Sequence, residues 1–395
     1  MERSQDTIVI GDPPKRSPPA GTITVLFVIH SLSGGGAERV IVHLVNHLDR
    51  RRFTPVLALG AAEGPYLDDL REDVPVHVLG ARRARSAIPA VLAAVWRLRP
   101  DVVLATAGMN LAVAITRALY PRGTRAILRE ANSPSAFLNE VRRSSASRAL
   151  LYRIAYRVLY RQADAVVCQS QFMVGNLARL GVPRSRLSCI YNPIDIARVR
   201  ALAGAGAGAA FGPASRPRLV TVGRLAHQKG YDVLIRALGQ VRRAHPQVSL
   251  RIFGDGEERE RLERDVRRLG LGGTVELMGF HANPYPAIAD ADLFVSASRY
   301  EGFSNAIAEA LACGTPVVAT DCPSANREVL EEGVNGWLAR GEDPGSLAET
   351  ICRALEASGA VKRAEIRDRC ESQFAAEHTL ARYEALLARC AAASS

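Results

Sequence analysis

Short apolar runs rich in Val, Ile and Leu alternate along this chain with longer stretches whose apolar residues fall three or four apart. The first rhythm is that of a buried strand and the second that of an amphipathic helix. In the first half the strand-like runs are 24–30, 54–58, 76–79, 101–105, 125–128, 163–168 and 187–190, and the helix-like stretches include 36–48, 88–98, 109–119 and 171–180. Strands interleaved with helices predict a parallel, doubly wound sheet. The second half repeats the alternation from Leu219 to Leu355, and a chain of 395 residues suits two such α/β domains. The expected organisation is a disordered tail over 1–20, a first Rossmann-like domain over 21–192, a linker over 193–217, a second domain over 218–375 and a C-terminal helical segment over 376–395. The tail is polar and proline-rich without the apolar stretch of a signal peptide. The linker holds the alanine/glycine repeat Ala203 to Ala210, which cannot pack a core and reads as a flexible loop. No run of 18 uncharged apolar residues exists, so no membrane-spanning helix is expected.

Charge changes this picture because it is unevenly shared. Residues 1–191 carry 26 Lys+Arg against 14 Asp+Glu, and residues 192–395 carry 25 against 26, so the net charge of +11 belongs to the first half. Its densest part is Arg142, Arg143, Arg148, Arg153, Arg157 and Arg161, interleaved with Leu150, Leu151, Ile154, Tyr156, Leu159 and Tyr160. Spacings of three to five residues would put several of these arginines on the face of one helix, suited to peripheral contact with an anionic membrane or simply to solvation. No nucleic-acid-binding motif accompanies the charge, so nucleic acid is not the expected partner. Seven cysteines without a C-x-x-C imply neither a zinc site nor a disulfide frame, and fit a cytoplasmic location.

Two segments carry candidate chemistry. In the first, Leu219-Val220-Thr221-Val222-Gly223-Arg224-Leu225-Ala226-His227-Gln228-Lys229-Gly230, a strand runs into a glycine turn and a helix from Tyr231. Arg224 and Lys229 then lie past the strand's carboxyl end, where open α/β sheets bind ligands, and a guanidinium fork beside an ammonium suits a diphosphate. The chain has three lysines against 48 arginines, so a lysine at this turn departs from its background. In the second, Tyr300 to Thr320, Glu301 and Glu309 bracket a loop of small residues at the start of a helix. A helix N-terminus with free N–H groups around Phe303, Ser304 and Asn305 attracts an anion, and a carboxylate a turn or two inside can bond a ribose diol. Phosphate and ribose side by side make a nucleotide; the plainer alternative is an ordinary α/β connection with two solvated glutamates.

The ordered pair of GRLxxxKG and a later E-x7-E resembles the retaining glycosyltransferases of the GT-B fold, family GT4. Ile29 to Arg39, Asn192-Pro193-Ile194-Asp195, Ile252-Phe253-Gly254-Asp255-Gly256 and Asp292 to Ser298 stand in the family's order, and the likeness is strongest from Leu219 to Leu338. It implies two Rossmann-like domains facing across a cleft, the first binding the acceptor and the second a nucleotide-diphosphate sugar, expected to be a UDP-sugar. The C-terminal helix would cross back onto the first domain. It also implies that Arg224 and Lys229 meet the diphosphate, Glu309 the ribose and Glu301 the donor sugar. Gly35, Gly36 and Gly254 would let backbone approach the donor. The implied reaction is front-face transfer without a protein nucleophile. Asn283-Pro284-Tyr285-Pro286 and Asp321-Cys322-Pro323-Ser324 are similar to the branch that builds lipid-linked glycans, O-antigen or capsule, so the expected acceptor is a glycan or a polyprenyl-linked sugar.

No cofactor or metal is expected beyond the donor itself. Asp290-Ala291-Asp292 has the form of a metal-binding pair, but it precedes its strand instead of following it. Gly34-Gly35-Gly36 is not a dinucleotide fingerprint; its glycines would let backbone approach a phosphate or sugar, and the plainer alternative is a strand-to-helix turn. One departure stands out: the resemblance implies a histidine just after a mid-domain strand in many relatives and polar residues in other branches, and here the matching stretch is Arg129-Glu130-Ala131-Asn132, without a histidine. A nucleotide-sugar epimerase and a non-catalytic nucleotide-binding scaffold on the same fold are the competing readings.

Overall fold

The computed structural model describes residues 21–81, 86–205 and 216–393. The tail expected over 1–20 and most of the alanine/glycine repeat, 206–210, lie outside them. The described chain forms two compact units, one of residues 1–193 with 377–395 and one of 194–376.

The first unit runs β1 (Ile23–Ile29), α1 (Gly36–His47), β2 (Phe53–Leu59), β3 (Val76–Val78), α2 (Ala87–Leu98), β4 (Val102–Thr106), α3 (Asn110–Thr116), β5 (Arg125–Arg129), α4 (Pro134–Ser144), α5 (Ala146–Leu159), β6 (Ala165–Cys168), α6 (Gln171–Arg179) and β7 (Leu187–Cys189). The strands lie in the order β3-β2-β1-β4-β5-β6-β7, every pair parallel. Both faces are covered, which is why the strands are apolar at nearly every position. Val25, Phe27 and Ile29 of β1 enter one buried layer with α1, while Leu26 and Val28 enter the other with α2 and α3.

The second unit runs α7 (Ile196–Gly204), β8 (Arg218–Val222), α8 (Tyr231–Ala244), β9 (Ser249–Phe253), α9 (Arg259–Arg268), β10 (Val275–Gly279), α10 (Tyr285–Asp290), β11 (Leu293–Ser296), α11 (Asn305–Ala312), β12 (Val317–Asp321), α12 (Asn326–Val329), β13 (Gly336–Arg340), α13 (Pro344–Ala357) and α14 (Arg363–Phe374). Its parallel sheet has the order β10-β9-β8-β11-β12-β13. In each sheet the chain leaves its first strand in one direction and later returns to the other side. The strand order therefore switches between β1 and β4 and between β8 and β11, and such switch points open crevices at the strands' carboxyl ends.

Two local expectations are corrected. The arginine-rich stretch 142–161 is two helices, not one, because Ser145 breaks the path and its Oγ accepts from the Arg148 N–H as the N-cap of α5. Arg142 and Arg143 therefore end α4, while Arg148, Arg153 and Arg157 belong to α5. The segment 193–217 is not loop throughout: Asp195 caps α7, whose Ile196, Val199 and Ala203 are buried at helical spacing. Ala203 and Gly204, read as the start of the loop, are the end of that helix. Asp290 and Asp292 sit at the amino ends of β8 and β11, where Asp290 pairs with Arg218 at 2.7 Å and Asp292 accepts from the Arg218 N–H and pairs with Arg216.

The last helix, α15 (Ala376–Ala392), completes the first unit. Tyr383, Leu386, Leu387 and Cys390 join the layer of β1 and α1. Tyr383 also holds Arg129, the largest fully buried side chain, whose Nε donates to the Tyr383 hydroxyl at 3.0 Å. The other guanidinium nitrogens of Arg129 donate to Thr106 Oγ1 and Asn192 Oδ1. A buried cation is tolerated only when its donors are satisfied. Tyr383→Phe is accordingly expected to cost about 1–3 kcal/mol by stranding one donor, and Tyr383→Ala about 3–5 kcal/mol by adding a cavity. Urea unfolding followed by circular dichroism measures both.

Candidate functional site

The switch point of the second sheet is built from the loops that follow β8 and β11. Parallel pairing of Leu293 with Leu219 and Phe294 with Val220 sets these strands side by side, so the loops at 223–230 and 297–304 leave the sheet together. Gly230 starts α8 in the left-handed region at φ +63°, and a Cβ there would stand 2.1 Å from the Ala297 carbonyl oxygen. No larger residue could bring the two loops so close. Gly254, after β9, plays the same part at φ +138°, since a Cβ there would meet the Gly223 carbonyl oxygen at 2.0 Å.

This approach joins residues 72 apart in sequence. Lys229 Nζ donates to Glu301 Oε1 at 2.6 Å, Ser298 Oγ donates to the same oxygen at 2.8 Å, and Gln228 Nε2 reaches Oε2 at 3.3 Å. Glu301 is buried, and burial of a carboxylate is offset by such charge-assisted bonds. Lys229 stays partly exposed, so its ammonium faces Glu301 on one side and open space on the other. Arg224, on the same loop, is exposed, and its side chain has no hydrogen bond or ion pair among the described residues.

Glu309 is the fifth residue of α11 and is buried. Ser304 is the N-cap of that helix without a side-chain hydrogen bond to it, so its own hydroxyl does not satisfy the first-turn N–H groups. The Phe303 ring is buried against Phe374 at 5.3 Å between centroids, which leaves its backbone as the part able to meet a ligand. Arg224, Lys229, Gly254, Glu301, Phe303, Ser304, Asn305 and Glu309 thus all lie on the carboxyl side of the second sheet.

The sequence reading missed the brace that holds this loop pair. Arg299 donates to both Asp232 carboxylate oxygens at 2.9 Å, to Glu342 at 2.9 Å and to the His227 carbonyl at 2.7 Å, and its N–H donates to the Gln228 carbonyl. Burial and the Arg299 fork oppose each other at Asp232, and the carboxyl is held below its ordinary value. An acid in the first turn of α8 and an arginine two residues before Glu301 were the available signals, but nothing local pairs them.

Gly35 and Gly36 belong to the first unit, where Gly35 is the N-cap of α1. A Cβ on Gly35 would stand 2.3 Å from a Glu38 carboxylate oxygen, so this helix start is already approached by its own acid. Beyond β5, Glu130 is buried and accepts from the Tyr160 hydroxyl at 2.6 Å. Burial pushes its carboxyl up to about 7, against the lowering effect of Tyr160, backbone N–H groups and Arg129. Among the described residues no group of three or more His, Cys, Asp or Glu is arranged to hold a metal ion.

Comparison with known proteins finds two family profiles. "Glycosyltransferase Family 4" matches residues 34–198 and "Glycosyl transferases group 1" matches residues 216–357. A lipopolysaccharide core biosynthesis glycosyltransferase of Rhizobium meliloti is 30% identical over 335 residues, covering 83% of this chain and 86% of its own. A 4-alpha-N-acetylgalactosaminyltransferase of Campylobacter jejuni, named for a diphospho-undecaprenol substrate, is 26% identical over 83% of this chain and 89% of its own. Among solved structures, Anabaena Alr3699/HepE in complex with UDP and glucose superimposes with a TM-score of 0.76 at 24% identity, over 93% of this chain and 99% of that one.

The Glu130 environment predicts a pH effect whose sign is fixed. The folded carboxyl titrates near 7 and the unfolded one near the ordinary 4.5, so the folded state binds the proton more tightly. The stability it favours is complete below the unfolded value and is lost as pH rises through the folded one, by at most about 3 kcal/mol. Glu130→Gln should remove this slope. Urea unfolding free energies of both proteins at pH 5 and pH 8 test it, with the variant losing less on going to the higher pH.

Proposed function

The chain belongs to the family 4 glycosyltransferases, and we propose that it is a retaining, metal-independent enzyme that moves a sugar from a UDP-sugar to a glycan or polyprenyl-linked acceptor in cell-surface polysaccharide synthesis. The observation that carries this reading is the juxtaposition of Lys229 with Glu301 at the β8/β11 switch point, beside the N-terminus of α11 and Arg224, whose side chain has no partner among the described residues. Three relatives support the finer parts. The Rhizobium meliloti protein is named for lipopolysaccharide core biosynthesis, the Campylobacter jejuni protein for a diphospho-undecaprenol glycan, and the Anabaena structure holds UDP and glucose.

Arg224 and Lys229 take the donor diphosphate, and the start of α11 at Ser304 and Asn305, with the Phe303 backbone, adds N–H dipoles. Glu309 accepts from the ribose hydroxyls. Glu301 orients Lys229 and accepts from a donor-sugar hydroxyl. Gly254 lets backbone come close to the donor. The first unit binds the acceptor and the second the donor. In the transfer the acceptor hydroxyl oxygen bonds to the anomeric carbon on the face from which the diphosphate leaves. The carbon–oxygen bond to the diphosphate breaks, and a departing diphosphate oxygen takes the hydroxyl proton. Charge grows on the diphosphate in this step, so cations already in place lower the barrier most. Asp290 and Asp292, the pair resembling a metal site, are committed to Arg216 and Arg218 at the opposite edge of the sheet, which favours Arg224 and Lys229 as the charge partners. The enzyme works in the cytoplasm.

Lys229→Ala and Arg224→Ala should each lower turnover by roughly 10²-fold or more, as loss of a transition-state donor does. Activity should survive a chelator; loss that added Mg²⁺ or Mn²⁺ restores would overturn the metal-free reading. Thermal shift with a panel of nucleotide sugars identifies the donor, since a ligand bound only by the folded state raises the melting temperature.

Glu309→Ala is expected to weaken donor binding more than Glu301→Gln, which should act mainly on kcat. Ribose contacts are alike in ground and transition states, whereas Glu301 positions the cation that meets developing charge. Equal losses of donor affinity, read by calorimetric titration with UDP, would reject this division.

A further inference from the structure

The surface of α5 is inverted relative to an ordinary amphipathic helix. Ala149 and Tyr156 face the core, while Leu150, Leu151, Ile154 and Val158 are 60%, 67%, 50% and 49% exposed. At 3.6 residues per turn these four aliphatic side chains fall within an arc of roughly 100° on the outer face. Arg153 and Arg157 border that arc on one side and Arg148 on the other. A single exposed leucine needs no explanation, but four in one contiguous arc mark an interaction surface.

The neighbouring helices extend the pattern. Between α4, α5 and α6 lies a groove of about 410 Å³, lined by Arg142, Arg153 and Arg179 around Leu138, Leu150 and Leu180. Among the described residues no side-chain hydrogen bond or ion pair engages Arg142, Arg143, Arg148, Arg153, Arg157 or Arg179. The segment 134–161 contains one acid, Glu140. These arginines are thus exposed and unneutralised beside apolar groups that water covers.

We propose that the α5 face, with the arginine groove beside it, docks on an anionic phospholipid membrane. Leu150, Leu151, Ile154 and Val158 would enter the headgroup boundary while the flanking arginines meet lipid phosphates. The arrangement of apolar centre and basic rim selects this occupant. A second copy of the chain would bring two sets of unpaired arginines together, which like charge opposes. A nucleic acid would use aromatic side chains for stacking, and the exposed arc has none. The proposal stands apart from the donor chemistry, because nothing in it involves the second unit.

The test uses the full chain and co-sedimentation with vesicles of phosphatidylglycerol and phosphatidylcholine, against vesicles of phosphatidylcholine alone. The wild type should bind the anionic vesicles and release as salt rises. Replacing Leu150, Leu151, Ile154 and Val158 together by Ser should weaken binding roughly ten-fold or more. Its urea midpoint and its response to UDP should not change, since all four side chains are exposed. Replacing Arg142, Arg153 and Arg179 by Gln should abolish the preference for anionic over neutral vesicles. Absence of wild-type binding, equal binding by the serine variant, or concentration-dependent self-association that the serine variant abolishes would each overturn the proposal.

Discussion

A carboxylate almost closed off from water, Glu301, is the group around which the second unit's loops are arranged. Burying it is costly unless hydrogen-bond donors meet its oxygens, and the Lys229 ammonium, the Ser298 hydroxyl and the Gln228 amide do so. Two of these partners come from the β8 loop and one from the β11 loop, so the bond network forms only when the strands lie side by side. Gly230 and Gly254 permit the approach, and Arg299 braces it through Asp232, Glu342 and two backbone carbonyls on the β8 loop. The result is an ammonium held in place before any ligand arrives. Such preorganisation is what stabilisation of a leaving diphosphate requires.

The first unit treats the same sheet edge differently. Arg129, at the end of β5, is wholly internal, and its donors hold Thr106, Asn192 and Tyr383. Through Tyr383 the chain's last helix becomes part of the core. Glu130 next to it is also internal, with Tyr160 as its partner. The stretch Arg129-Glu130-Ala131-Asn132 thus puts two charged side chains to structural use.

Charge is divided between the units by the same logic of pairing. In the second unit arginines meet acids nearby, as Arg259 does with Asp255 before α9 and Glu263 within it, Arg251 with Glu276 on the neighbouring strand and Arg218 with Asp290 at the end of α10. On α4 and α5 of the first unit Glu140 is the one acid against five arginines, and among the described residues the exposed leucines lie beside arginines without a side-chain partner. Neutral balance on one side and an unspent basic face on the other follow directly.

The alternation of apolar runs with helical spacing was enough to place the strands and several helices of the first unit and to show that the second repeats the pattern, because period depends on near neighbours alone. The sequence also made Arg224, Lys229, Glu301 and Glu309 visible, since each sits at a fixed offset from a strand end or helix start. Local pattern could not decide which loops meet. Lys229 and Glu301 are neighbours only because β11 pairs with β8, and strand order is a property of the whole sheet. The Arg299–Asp232 brace was hidden for the same reason. The break at Ser145 turned one expected arginine face into two helices, and a single capping hydroxyl outweighed the run of helix formers around it. Ala203 entered α7 because Asp195 caps that helix and tertiary packing buries its apolar stripe. Composition and spacing determined the two α/β domains and the candidate residues on the loops of the second. Only the tertiary structure decided which leucines face water, since a helix's spacing shows that a face is apolar but not which side the core will take.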